Sequence, residues 1–274
     1  MQVIADTHVH LYPTFDLEQV FRYAVSNLSQ YGQSFQHVVP AIFLSERSGQ
    51  KVYADLVNER SPLRGGLNRR PARDGKGMWL EGQGNRLLVC PGRQIITAER
   101  IEILSLLSDE EISDGEATST TFAKIRAGGG IPVFPWSPGK WLGSRGKIVA
   151  NLLESADPGS LFVGDTVMRP RGSIPPRLFR TAKARNVHMV AGTDPLPIPS
   201  EVKIIGSYGI TLPDGFNPEK PVASLRSCLL DRKEPIACVG RRCSWPTAAS
   251  RWVRHRFFHS DPFWKRGTTL SPVK

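Results

Sequence analysis

The apolar positions near the start of the chain read first as a strand and then as a helix. Residues 2–5 are a short apolar run ending in Asp6-Thr7-His8-Val9-His10, a strand feeding a loop. Leu17, Val20, Phe21, Ala24, Leu28 and Tyr31 then recur at helical spacing. Asp16 with Gln19 three residues on makes a capping-box start, and Gly32 stands where a helix-ending glycine belongs. Residues 38–44 predict a second strand leading into Ser45-Glu46-Arg47, and residues 48–59 a short helix. Residues 60–76 are rich in Gly, Pro and Arg, carry no apolar period and read as a basic excursion loop. Short strands are predicted at 78–81 and 87–90, while residues 94–107 mix strand and helix signals.

The clearest organisation lies between residues 117 and 194. Strands predicted at 131–134, 161–163 and 187–191 alternate with helices and start about 30 residues apart, the βαβ spacing. Parallel strands need such crossovers. The predicted fold class is therefore α/β. Residues 1–215 are expected to form a TIM-like (β/α) barrel, distorted or seven-stranded, with an open doubly wound sheet as the alternative. Residues 216–274 are expected to form a helical extension and tail packed on that barrel.

Composition narrows the picture. At 274 residues the chain can bury a full core without disulfides. Hydrophobic residues at 40% and charged residues at 22% exclude a disordered tail and a membrane bundle. No apolar run approaches the roughly 20 residues of a membrane span. The first ten residues lack a signal-peptide pattern, so a cytoplasmic location is expected. Cys90, Cys228, Cys238 and Cys243 show no CxxC or zinc spacing and are expected to be reduced.

The net charge is +11, but residues 99–116 alone carry −6, which leaves +17 on the rest. Such a balance suits an anionic ligand, a nucleic acid or simply a soluble basic surface. Residues 251–266 interleave arginines with Trp252, Phe257, Phe258, Phe263 and Trp264. Interleaved bases and aromatics can track nucleic acid. An amphipathic helix packed on the barrel is the commoner explanation. The expected partner is thus a small molecule rather than nucleic acid.

In parallel barrels, ligands bind at the carboxyl ends of the strands. Those positions here hold Asp6, His8 and His10, then Glu46, Glu81, the Trp136–Lys140 segment, Asp165 with Arg169, and Asp194. His8 and His10 are two apart, so on a strand end they point the same way. Two imidazoles and a carboxylate can hold one borderline cation. Asp6 shares their predicted face and is expected to orient a ligand from behind. The blander reading, two polar loop histidines, is weakened by their place directly after an N-terminal strand. Lys140 and Arg169 are expected to hold an anionic substrate group. Gly139-Lys140 is not a P-loop, because Trp141 follows the lysine. His37 and His188 precede their strands and lie away from the proposed site, and His255 and His259 lack the glutamate of HExxH.

Ile4-Ala5-Asp6-Thr7-His8-Val9-His10-Leu11 resembles the opening DxHxH signature of the amidohydrolase superfamily and its PHP relatives. Gly192-Thr193-Asp194-Pro195 resembles the late-strand aspartate of amidohydrolases. The resemblance spans residues 2–200 and implies a metal-dependent hydrolase on a (β/α) barrel. It implies His8, His10, Asp194 and Asp165 as metal ligands, Asp194 also as the catalytic proton acceptor, and Trp136, Lys140 and Arg169 around the substrate. The ligand set departs from the family pattern. Trp136 and Asp165 stand where histidines are expected, and Pro195-Leu196 follows Asp194 in place of an Asp-x-His ending. The resemblance therefore implies at most one divalent ion per chain, zinc with manganese as the alternative. A non-catalytic descendant that binds a ligand or partner is the alternative function.

Overall fold

A computed structural model describes residues 1–32, 38–157, 159–212 and 215–259, with the side chains of 255–259 outside the description. His37, His255 and His259 therefore fall outside the described side chains. Strand β1 (Gln2–Val9) is followed by α1 (Leu17–Ser29), β2 (Val38–Leu44) and α2 (Val52–Val57). An antiparallel insert of β3 (Asn68–Pro71), β4 (Met78–Gly82) and β5 (Asn85–Cys90) comes next. Then follow β6 (Gly92–Ile96), β7 (Glu102–Leu106), α3 (Thr118–Ala127), β8 (Ile131–Pro135), α4 (Gly143–Ser155), β9 (Phe162–Thr166), α5 (Arg177–Ala184) and β10 (Met189–Gly192). A 3-10 turn over Pro199–Ile204 leads to β11 (Tyr208–Leu212), α6 (Pro221–Leu230), β12 (Ala237–Gly240) and α7 (Trp245–His259).

The hydrogen-bonded ladders form two sheets, ordered β12-β11-β1-β2-β5-β4-β3 and β10-β9-β8-β7-β6. The α/β class stands, and the strands hydrogen-bond as two mixed sheets rather than one all-parallel sheet. The parallel pairs β1–β2, β2–β5, β8–β9 and β9–β10 sit beside antiparallel ones. The excursion expected over residues 60–76 supplies an edge strand instead. Arg69 ties it down by donating to the carbonyls of Leu56 and Ser61. The β4–β5 hairpin closes on Gln83-Gly84 at φ 52° and 74°, the left-handed pair that a two-residue turn requires. The two sheets meet at two seams. Glu46, just past β2, bridges to Arg93 of β6, and the Asp194 N–H, just past β10, donates to the His8 carbonyl at 2.9 Å.

Period-two alternation buries both faces of the first sheet. Val3 and Ala5, Val39, Ala41 and Phe43, and Leu88 and Cys90 enter one core. Ile4, Ile42, Leu44, Leu87 and Val89 enter another, against Val20, Phe21, Ala24 and Leu28 of α1. Asp16 caps α1 by accepting from the Glu18 N–H. Helix α6 sends Val222, Leu225 and Leu229 into the first core, and β12 extends the first sheet through β11. Among the described residues, no helix is long and apolar enough to cross a membrane.

Candidate metal centre

Strand β1 does not keep one phase to its end. Its pairing with β2 shifts register between Asp6 and Val9. Val9 consequently joins the α1-side core together with Ile4, although the two positions have opposite parity. The flanking His8 and His10 then point to the other face, toward the end of β10. The sequence expectation that Asp6 shares their face is corrected by this irregularity.

Asp6 is instead a buried clasp. Its carboxylate accepts from the N–H and hydroxyl of Thr193 at 2.9 and 2.5 Å, from the Gly206 N–H at 2.9 Å and from the His8 N–H at 3.2 Å. Burial raises its carboxyl to about 6 against the lowering effect of these donors. Thr7 adds a hydroxyl bond to the Ala191 carbonyl at 2.9 Å. Gly192 allows this approach, because a Cβ there would lie 2.4 Å from the His8 nitrogen.

The result is a tight group. His8 Nε2 lies 3.2 Å from His10 Nε2, and Asp194 Oδ1 lies 3.5 and 3.6 Å from them respectively. The three ligand atoms all fall within 4.8 Å of one another. Both imidazoles are buried, while the Asp194 side chain keeps 25% exposure. Burial, then the charge of Arg47, hold the His10 imidazolium pKa well below its ordinary value. Burial pushes the Asp194 carboxyl up, but His8, His10, Arg251 and Arg47 outweigh it and hold the group at about 2. Two imidazole nitrogens and a carboxylate oxygen are the donor set a zinc-type ion takes. The residues fit a divalent ion.

Asp194 itself sits at φ 47°, in the left-handed region. Its carbonyl accepts from Arg251 Nη2 at 3.1 Å. Arg251 in turn grips Glu201 through Nε at 3.2 Å and Nη2 at 2.7 Å, both side chains being buried. Glu201 also accepts the Leu196 N–H. Sequence reasoning gave no site role to Glu201, to Arg251 of the basic segment or to Thr193 of the Gly192–Pro195 run. Glu201 and Arg251 carry no motif, and only the tertiary structure brings them to Asp194.

The remaining sequence candidates lie elsewhere. Asp165 is held by Arg169 through Nε at 2.7 Å and Nη2 at 2.5 Å, and accepts from the Tyr208 hydroxyl at 2.8 Å. It does not join the His8–His10–Asp194 group. Arg169 is correspondingly engaged inside the protein. Lys140 forms a short ion pair with Glu102, and Trp136 packs against the apolar cluster that includes Phe134 and Phe179. Glu81 pairs with Arg70 on the β3–β4 ladder, and Glu46 accepts the Tyr53 N–H at the start of α2. His188 is buried against the Arg232 carbonyl.

No protein-family model matches this sequence, and no curated protein matches it. Solved structures share its fold. PsfC from Pseudomonas syringae PB-5123 matches with a TM-score of 0.60 at 14% identity, over 94% of this chain and 98% of its own. The lesion-specific endonuclease PfuEndoQ from Pyrococcus furiosus matches with a TM-score of 0.50 at 12% identity, over 88% of this chain and 59% of its own. A two-domain Bacteroides vulgatus protein containing a predicted PHP-like metal-dependent phosphoesterase scores 0.47 at 15% identity, over 88% and 65%. The chain thus spans less than two thirds of the last two proteins. The matches to PsfC and PfuEndoQ show a mixed α/β fold shared with proteins of differing length. They also overturn one expectation, a small-molecule partner with nucleic acid set aside, because the fold carries an endonuclease.

Proposed function

We propose that this protein is a metal-dependent phosphoester hydrolase acting on nucleic acid, with one divalent ion held by His8, His10 and Asp194. The observation that carries the reading is the convergence of those three ligand atoms within 4.8 Å at the seam of β1 and β10. The fold shared with a lesion-specific endonuclease and the charge of +11 support nucleic acid as the substrate class. The ion, when bound, supplies Lewis-acid polarisation of the phosphoryl group and lowers the pKa of water. The chain's own residues do the rest. His8 and His10 present their ring nitrogens from the end of β1, which the Asp194 N–H holds through the His8 carbonyl. Asp194, ionised and partly exposed, accepts a proton at its carboxylate and returns it to the leaving oxygen. The positive charge of Arg47 acts on both His10 and Asp194 and would favour an approaching phosphate.

One ion is the stoichiometry that the surroundings favour. Among the described residues, the three carboxylates the sequence offered for a second ion, Asp165, Glu81 and Glu46, each have cationic partners of their own. Elemental analysis of untagged protein after incubation with zinc or manganese, with cleavage of labelled intact and lesion-bearing oligonucleotides, tests the reading. The expected result is one ion per chain and cleavage lost in Asp194→Asn. Absence of a bound ion, or cleavage unchanged in that variant, overturns it. Metal and nucleic-acid binding without cleavage favours the non-catalytic descendant.

A further inference from the structure

A cleft of about 530 Å³ opens beside the metal centre, between the loop after β1, the start of α2 and the segment before β3. Its volume falls in the range of about 300–1,000 Å³ typical of clefts that seat a small organic group. Tyr12 is the link to the centre. It lines the cleft, and its ring stands 5.8 Å from the His10 ring. The cleft thus lies one side chain away from the His10 ligand, with Tyr12 between them.

The lining has two kinds of surface. Leu11, Tyr12 and Phe15 give an apolar, partly aromatic wall, all three buried in the core behind it. Lys51, Arg60 and Arg64 give a cationic rim, and all three are exposed. Among the described residues, none of these three forms an ion pair with a carboxylate. Two acids also line the cleft. Asp16 has its carboxylate turned to the α1 N-terminus, where it accepts the Glu18 N–H, and Asp55 accepts the Arg60 and Ser61 N–H groups through its backbone carbonyl. A flat, weakly polar body against the wall and a negative charge at the rim is the chemistry of a nucleobase with its phosphate.

We propose that this cleft seats the nucleotide next to the scissile phosphate, with the base against the Tyr12–Phe15 wall and the flanking phosphates at Lys51, Arg60 and Arg64. The proposal rests on the nucleic-acid reading of the metal centre, but it concerns binding and is tested without turnover. Fluorescence anisotropy with a labelled single-stranded DNA decamer is measured in EDTA at several salt concentrations. A decamer of the same backbone without bases serves as the second probe. The expected result is tighter binding of the base-bearing strand. In Lys51→Gln/Arg60→Gln/Arg64→Gln, binding weakens and the slope of log K against log salt falls by about 2, as three lost phosphate contacts require.

Arg180→Gln/Lys183→Gln on the exposed face of α5 is the control for general basicity. Circular dichroism checks the fold of each variant. Equal binding of the two strands overturns the base seat, and an equal loss in the α5 control overturns the rim. Absence of binding by the unaltered chain overturns the whole proposal. Binding unchanged in the cleft variants overturns the cleft and leaves the hydrolase reading standing, whereas cleft-dependent binding by a protein that fails the separate cleavage assay keeps the cleft and overturns the hydrolase.

Discussion

The amide of Asp194 donates to the carbonyl of His8 across 2.9 Å, joining two residues 186 positions apart in the chain. That one bond places the late carboxylate against the early histidines. It depends on close approach of the two backbones, on a left-handed Asp194 and on the Asp6 clasp alongside.

Gly192→Ala tests the approach. The added methyl would lie 2.4 Å from the His8 nitrogen and 2.9 Å from Asp6 Oδ1, and neither strand can yield without breaking the Asp6 bonds. The expected cost is about 1–3 kcal/mol of stability, as for other overpacked interiors, with metal affinity lost alongside. Denaturant titration and elemental analysis measure both, and an unchanged midpoint with a full complement of ion would contradict the geometry.

Glu201 and Arg251 are a buried pair behind Asp194. Removing one partner leaves an uncompensated buried charge. Arg251→Met alone is therefore expected to cost about 3–5 kcal/mol, whereas Arg251→Met/Glu201→Met recovers much of that. The double variant still lacks the bond to the Asp194 carbonyl, so its metal affinity stays low while its stability returns. Stability and affinity recovering together would show that the pair does not position Asp194.

Asp165 and Arg169 behave as a structural pair in this fold. Arg169→Met is expected to lower stability by about 3–5 kcal/mol, because it strands the buried Asp165 carboxylate. Asp165→Asn should leave metal stoichiometry at its unaltered value, while His8→Ala/His10→Ala abolishes it. Loss of the ion from folded Asp165→Asn would return Asp165 to the ligand set.

Glu46 carries a pH dependence of known sign. Burial raises its carboxyl to about 6, against the lowering effect of the Tyr53 N–H and Arg93, with Asp55 adding a small raise. The folded state thus holds this proton more tightly than the unfolded state, whose value is the ordinary 4.5. Stability from this group is full below 4.5 and declines as pH rises through 6, by about 2 kcal/mol in total. Glu46→Gln keeps an acceptor for the Tyr53 N–H and removes the titration. The difference in unfolding free energy between the two proteins should therefore change across pH 4.5–6 and be flat above 7. A flat difference throughout would show that Glu46 is not desolvated in solution.

Local pattern determined a good deal of this protein. The apolar run before Asp6, the helical repeat from Leu17 to Leu28 and the βαβ rhythm of β8, β9 and β10 all appear where period and punctuation place them. Steric alternation and helical spacing act between neighbours, so a linear reading captures them. The same reading picked His8, His10 and Asp194, each at the end of an apolar run. What it did not contain was the partner of each charged group. Asp165 has the strand-end position of a ligand, yet Arg169 and Tyr208 close on it. Lys140 looks available for an anion until Glu102 meets it. The fold also makes Asp6 a clasp for Thr193, Gly206 and the His8 N–H, partners that no local pattern names. The cleft at Tyr12 needed three segments to assemble. Whether a buried charge is a ligand or half of an ion pair depends on which opposite charge the folded chain brings within about 4 Å. That is a long-range property, and only the tertiary structure decides it.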